Sequence, residues 1–332
     1  MKLQERIELL NKLGSYMLSD DEAWQVAKRK AHADNSWFTD EFVDLSIQNI
    51  VRNYLQVDAL EKLVKYYLIP EENKQPKTVG IVMAGNIPLV GFHDFLAVFL
   101  TGHIAAIKPS SKDTALIKQL ITQLWEWNAA TEELVVLRDL LKNCDAYIAT
   151  GSDNSARYFE AYFSKYPNII RKNRTSVAIL DGNETENELA KLGDDAYQFF
   201  GLGCRNVTQL YVPRNYDFKP LLDAFSKYNY LINHNKYKNN YDYNLAVQII
   251  NNHYYMTNGS ILMVENPSPF SPIAQLHYQF YDHLDEVENK LNSNNAIQCV
   301  VGKNHIAFGE AQCPSITDFA DGVDTIDFLV RL

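Results

Sequence analysis

A single cysteine set among glycines and ahead of a strand is a pattern that can do nucleophilic chemistry, and residues 199–213, FFGLGCRNVTQLYVP, carry it at Cys204. Gly201 and Gly203 let the backbone turn tightly or approach a ligand closely. Val207, Leu210 and Val212, interleaved with Thr208 and Tyr211, read as a buried strand. A thiol on such a turn can be presented to a substrate and activated by nearby amide dipoles. On this stretch alone, a cysteine that serves as a small buried apolar residue is the commoner case and comes first. The other cysteines, Cys144, Cys299 and Cys313, are far apart with no C-x-x-C pair. They suggest neither a disulfide framework nor a structural zinc site. No P-loop or H-E-x-x-H occurs, and G-x-G at 201–203 lacks the third glycine and the strand before it that a Rossmann fingerprint needs. No metal is expected.

The elements that must position this chemistry follow from periodicity. Residues 1–75 are helical, with apolar positions such as Ile7, Leu10, Leu13 and Met17, then Val43, Ile47, Ile50 and Val51. Residues 71–77, flanked by Pro70 and holding Pro76, read as a linker. A β-branched run at 78–84, a helix from Pro88 to about 101 and a second run at 104–108 form a β-α-β unit, which predicts parallel strands and a right-handed crossover. A helix from 109–111 to about 128, a strand at 146–150 and a helix over 154–165 continue the pattern. Ligands of such sheets bind at the carboxyl ends of the strands, where Asn86, Lys108 and Ser152 fall. Further on, 175–181 reads as a strand and 184–198 as a helix delivering the chain to Cys204. Strands are expected at 261–265, 274–281 and 296–301, a helix at 282–291, and a closing strand at 323–330. The chain is therefore α/β, in four regions: helical 1–75, dinucleotide-binding 76–182, nucleophile-bearing 183–305 and a closing segment 306–332.

The totals exclude some partners. With 31 basic and 41 acidic residues, a net charge of −10 and no basic cluster, neither a nucleic acid nor an anionic membrane is the expected partner. No apolar run approaches the roughly 20 residues of a membrane-spanning helix, and the start does not read as a leader. A cytoplasmic location is the expectation.

Four segments in order, spread over roughly 78–330, resemble the aldehyde dehydrogenase superfamily. Ala84-Gly85-Asn86-Ile87-Pro88 is similar to its W-N-F-P turn, and Thr101-Gly102-His103 through Ile107-Lys108-Pro109-Ser110 to its G-N-x-V-V-x-K-P-S stretch. Thr150-Gly151-Ser152 resembles F-T-G-S, and Gly201-Leu202-Gly203-Cys204 resembles G-Q-x-C. The resemblance implies a parallel-sheet cofactor domain followed by a second α/β domain with Cys204 as nucleophile. It gives Asn86 an oxyanion-hole role, Lys108 and Ser110 the adenosine ribose or its 2′-phosphate, and Gly151 and Ser152 the pyrophosphate. The family's water-activating glutamate maps to Ile179 in Ala178-Ile179-Leu180-Asp181-Gly182, and a second glutamate maps to Ser268. Within the superfamily the chain looks most like LuxC-type fatty-acyl-CoA reductases, the segment at 314–322, PSITDFADG, suggesting it most. The implied activity is reduction of an acyl-CoA or acyl-carrier-protein thioester to an aldehyde with NADPH, NADH being the open alternative. Members usually dimerise or tetramerise, so a homo-oligomer is implied as well. Two rival expectations are an aldehyde dehydrogenase oxidising a free aldehyde and a degenerate acyl-binding subunit without turnover.

Overall fold

A computed structural model describes residues 1–332, and the chain divides into two compact units, Met1–Asn173 with Pro314–Leu332 and Arg174–Cys313. The first unit opens with α1 (Leu3–Met17), α2 (Glu22–Asp34), α3 (Asp40–Tyr54) and α4 (Val57–Tyr66). The apolar spacing read in the sequence is the buried stripe: Ile7, Leu10, Leu13, Ile47 and Val51 all lie in the core. Asp21 and Thr39 start α2 and α3 by accepting backbone N–H groups of the first turn.

The sheet of this unit is built from β1 (Thr78–Val82), α5 (Phe92–Leu100), β2 (Ile104–Lys108), α6 (Ala115–Trp127), α7 (Thr131–Leu134), β3 (Val135–Leu137), β4 (Ala146–Thr150), α8 (Asp153–Phe163) and β5 (Asn168–Arg171). Its order is β3-β2-β1-β4-β5 and every pair is parallel. Strands covered on both faces read as continuous apolar runs. Accordingly Val79, Ile81, Ala105, Ile107 and Ile148 are fully buried. Connections from β1 run one way to β2 and β3, and those from β4 run the other way to β5. The carboxyl ends of β1 and β4 therefore flank the point where the winding reverses.

The second unit holds β6 (Thr175–Ile179), α9 (Glu186–Tyr197), β7 (Val207–Pro213), α10 (Lys219–Phe225), α11 (Asn235–Ile250), β8 (Met256–Thr257), β9 (Leu262–Glu265), β10 (Gln275–Tyr281), α12 (Leu284–Asn292) and β11 (Ile297–Val301). Its sheet runs β11-β6-β7-β10-β9-β8, parallel except for β8 against β9. The chain then re-enters the first unit and ends in α13 (Thr325–Val330). There Arg171 donates to Thr325 Oγ1 at 2.8 Å, and His103 Nε2 donates to the Leu329 carbonyl at 3.0 Å.

Three expectations need correction. The strand at 175–181, expected inside the first sheet region, is β6 and pairs with β7 and β11, so the chain leaves the first unit at Asn173. The closing strand at 323–330 is α13, because the Asp324 side chain accepts the Asp327 N–H at 2.9 Å and caps a helical turn. The helix expected from 109 begins at Ala115, since Thr114 Oγ1 bonds back to the Ser110 carbonyl at 2.8 Å and closes a turn first.

Candidate active site

In the first unit the residues singled out from sequence fall on one edge of the sheet. Asn86 follows β1, Lys108 ends β2 opposite Val82, and Gly151 and Ser152 follow β4. Asn86, Lys108 and Ser152 have exposed side chains, while Ser110 and Gly151 are half-buried. Ser152 is the N-cap of α8, its Oγ accepting the Ser155 N–H at 3.4 Å. Gly151 must lack a side chain, because a Cβ there would lie 2.8 Å from Ser155 Cβ and 2.9 Å from Phe159 Cε2. A helix N-terminus and a lysine on one sheet edge form a donor set suited to a pyrophosphate and a further phosphate or ribose.

Two loops on that edge are interlocked. The Met83 N–H donates to the Lys108 carbonyl at 3.1 Å, and the Leu89 N–H to Asp113 Oδ2 at 2.7 Å. A Cβ on Gly85 would stand 2.5 Å from Ser110 Oγ. Leu89 holds φ at +56°, a left-handed conformation that costs a non-glycine residue energy and needs such fixing. Asp113 is 5% exposed and its Oδ1 has no hydrogen-bond partner. Burial pushes its carboxyl up to about 7, against the pull of the Leu89 N–H.

In the second unit Cys204 is half-buried on the loop between α9 and β7. The approach is a left-handed turn, with φ of 54° at Phe199, 57° at Phe200 and 73° at Gly201. Only the last of these is sterically cheap. Asn206, fully buried, accepts the Gly203 N–H at 2.8 Å through Oδ1 and donates through Nδ2 to the carbonyls of Asp195 at 3.0 Å and Gln198 at 2.8 Å. Ser176 Oγ, on β6, donates to the Cys204 carbonyl at 3.0 Å. Behind the loop the fully buried Asp195 carboxylate accepts the N–H groups of Gly309 at 2.7 Å and Ala311 at 2.9 Å. Burial pushes its carboxyl up to about 7, with Asp194 and Glu310 adding to the rise.

The position mapped to the water-activating glutamate does not meet this loop. Ile179 pairs with Tyr211 and packs with Val177 and Leu291, whereas Cys204 precedes the end of β7 where Val207 pairs with Ser176. Three residues along a strand separate these levels by about 10 Å. Ile179 therefore says nothing about a base at Cys204. Ser268 does lie beside the first half of β7, its carbonyl accepting His277 Nδ1–H at 2.7 Å and Gln209 Nε2 at 3.3 Å. Sequence reasoning missed Asn206, Ser176, Asp195 and Asp113.

The fold these units build is that of aldehyde dehydrogenases. A variant of the Bacillus cereus aldehyde dehydrogenase matches with a TM-score of 0.65 at 15% identity, over 91% of this chain and 72% of that one. An aldehyde dehydrogenase of Mycobacterium tuberculosis complexed with NAD+ matches at 0.64 and 13%, over 88% and 71%. An Escherichia coli NADP-dependent enzyme matches at 0.67 and 11%, over 91% and 73%. The family model for the acyl-CoA reductase LuxC matches residues 14–220, more than half of the chain and a span containing Asn86, Lys108, Ser110, Gly151, Ser152 and Cys204. The chain belongs to the LuxC acyl-CoA reductase family. A long-chain acyl-protein thioester reductase of Aliivibrio fischeri is 22% identical over 207 residues, a match spanning 52% of this chain and 43% of that protein. No helix is long and apolar enough to cross a membrane.

Proposed function

We propose that this chain reduces an acyl thioester, carried by CoA or an acyl-carrier protein, to an aldehyde, with Cys204 as the catalytic nucleophile. The observation that carries the reading is Cys204 itself, half-buried on a hydrogen-bonded turn at the head of β7, inside the span that matches the reductase family. The Cys204 thiolate attacks the thioester carbon, the carrier thiolate leaves, and an acyl thioester remains on the enzyme. A nicotinamide, when bound, supplies the hydride that this acyl group accepts. The resulting oxyanion is held by the Cys204 N–H, a donor of a kind typically worth about 3 kcal/mol. Collapse breaks the C–S bond, releasing aldehyde and restoring the thiolate.

The α8 N-terminus with Ser152, together with Lys108 and Ser110, suits the phosphates and ribose of such a cofactor. NADPH over NADH rests on the habit of the family. Because Ile179 lies at the wrong level of the sheet, the preference for a reductase over an aldehyde oxidiser leans on family membership and not on a missing glutamate.

Incubation with a panel of acyl-CoA thioesters and intact-mass measurement should show one acyl group, absent in Cys204→Ala. With NADPH, cofactor oxidation and release of CoA should follow at matching rates. Turnover that survives Cys204→Ala removes the residue from the mechanism. Reduction of NAD+ by free aldehyde without CoA would establish the oxidiser. Cofactor binding without any turnover would establish an acyl-binding subunit.

A further inference from the structure

We infer that Asn206 and Ser176 are the positioning residues of Cys204, fixing the peptide planes on either side of it and so the directions of the Cα–Cβ bond that carries its thiol and of its N–H. The inference rests on Cys204 being the nucleophile.

The plane before Cys204 is set by Asn206. The Asn206 N–H donates to the Gly203 carbonyl at 3.1 Å, and Asn206 Oδ1 accepts the Gly203 N–H at 2.8 Å. No peptide bond in the chain is cis. In a trans peptide the carbonyl and the following N–H point to opposite sides, so turning the Gly203 carbonyl toward Asn206 turns the Cys204 N–H away from it. That N–H is the oxyanion donor of the proposed mechanism. The plane after Cys204 is set by Ser176, whose hydroxyl donates to the Cys204 carbonyl at 3.0 Å. With both planes fixed, the Cα–Cβ bond that carries the sulfur has one direction left.

Both anchors rest on rigid elements. Asn206 Nδ2 reaches back to the carbonyls of Asp195 and Gln198 at the end of α9, tying down the left-handed turn at 199–201. Ser176 belongs to β6, its N–H bonded to the Asn206 carbonyl at 3.1 Å and its Oγ accepting the Cys299 N–H at 3.2 Å. Cys299 Sγ also lies 3.0 Å from Ser176 Oγ, and with that thiol donating to Oγ, as the Cys299 N–H does, the Ser176 proton goes to the Cys204 carbonyl. Both side chains are fully buried. Water therefore does not replace either bond when one is removed. Asn206 cannot be exchanged for aspartate without loss, because a carboxylate keeps the acceptor for Gly203 but faces two carbonyls with no donor.

The test uses the full chain as Asn206→Asp and Ser176→Ala, with thermal melts to establish folding. Two readouts follow: the rate at which iodoacetamide alkylates Cys204 between about pH 6 and 9, and kcat and KM with acyl-CoA and NADPH. Ser176→Ala is expected to slow Cys204 alkylation and lower kcat about tenfold or more with KM little changed, as a misdirected group does. Asn206→Asp should do the same and move the alkylation midpoint upward. If Asn206→Asp does not fold, Ser176→Ala decides alone. Folded variants that keep the wild-type alkylation profile and kcat overturn the inference. Wild-type Cys204 alkylating with the midpoint of an ordinary cysteine, about 8.5, combined with turnover in Cys204→Ala, instead sinks the nucleophile reading, whatever the two variants do.

Discussion

Lys108 ends β2 with its side chain exposed, and Pro109 behind it disfavours helical backbone at position 108, so the strand runs out with its ammonium at the sheet edge. If it meets the 2′-phosphate that distinguishes NADPH from NADH, the contact is a charge-assisted one to a dianion at a wet surface. Lys108→Ala should then raise KM for NADPH about tenfold while leaving KM for NADH within about twofold. Equal rises for both cofactors would move Lys108 from the phosphate to a general electrostatic role. The placement of Lys108 at a strand end and of Cys204 on the loop before a strand was legible in the sequence, because both interrupt or precede apolar runs. Asn206 and Ser176 were not, because a polar residue that bonds backbone brought to it by the fold looks like any solvated one until burial is known. Position 179 was misread for the converse reason: the local motif was weak, and only strand register shows that Ile179 sits a full level away from the cysteine loop.

The loops after β1 and β2 act as one piece, since Gly85 abuts Ser110, Asp113 holds Leu89, and Met83 bonds Lys108. Asn86 and Ser110 ride on that piece. Gly85→Ala would put a methyl 2.5 Å from Ser110 Oγ and 2.7 Å from Ser110 Cβ, and the Cβ atom has no rotamer to escape into. The strain of such overpacking is about 1–3 kcal/mol. The expected result is a melting temperature lower by several degrees together with weaker cofactor binding, both measurable on the purified variant. An unchanged melt would mean that the loops part at no cost. The β-α-β core that carries them was readable from 78–108, where continuous apolar runs alternate with a helix. The edge strands β3 and β5 were not, being three and four residues long with half-buried positions that dilute the pattern. α13 was misread because Val323, Ile326, Leu329 and Val330 suit strand or helix alike, and Asp324 decides by capping.

Over the whole chain, four buried titrating groups contribute to how stability follows pH, and they pull in two directions. Asp113 and Asp195, one in each unit, have carboxyls pushed up to about 7, so the folded state holds protons that the unfolded chain releases above about 4. Their contribution is complete below the unfolded value and is lost as pH rises through about 7. His103 and His277 are pulled below the ordinary histidine value by burial. Each is held neutral, His103 accepting the Lys77 N–H at 3.0 Å and donating to Leu329, and His277 donating to Ser268. Their contribution is present above about 6.5 and is lost as pH falls through their lowered folded values. Lowering pH from about 8.5 to 6.5 engages chiefly the carboxyls, each of which should stabilise the protein by about 1 kcal/mol, while the histidines begin to offset the gain as pH nears about 6.5. Below that the histidines take up the opposing slope, and the gain should level off. Asp113→Asn keeps an acceptor for the Leu89 N–H but cannot titrate, so melts between about pH 8.5 and 6.5 should lose that unit's share of the rise. A variant whose melting curve still climbs as steeply as the wild type would mean that Asp113 is charged in the folded protein throughout the range, and that the buried oxygen beside Leu89 is reached by water.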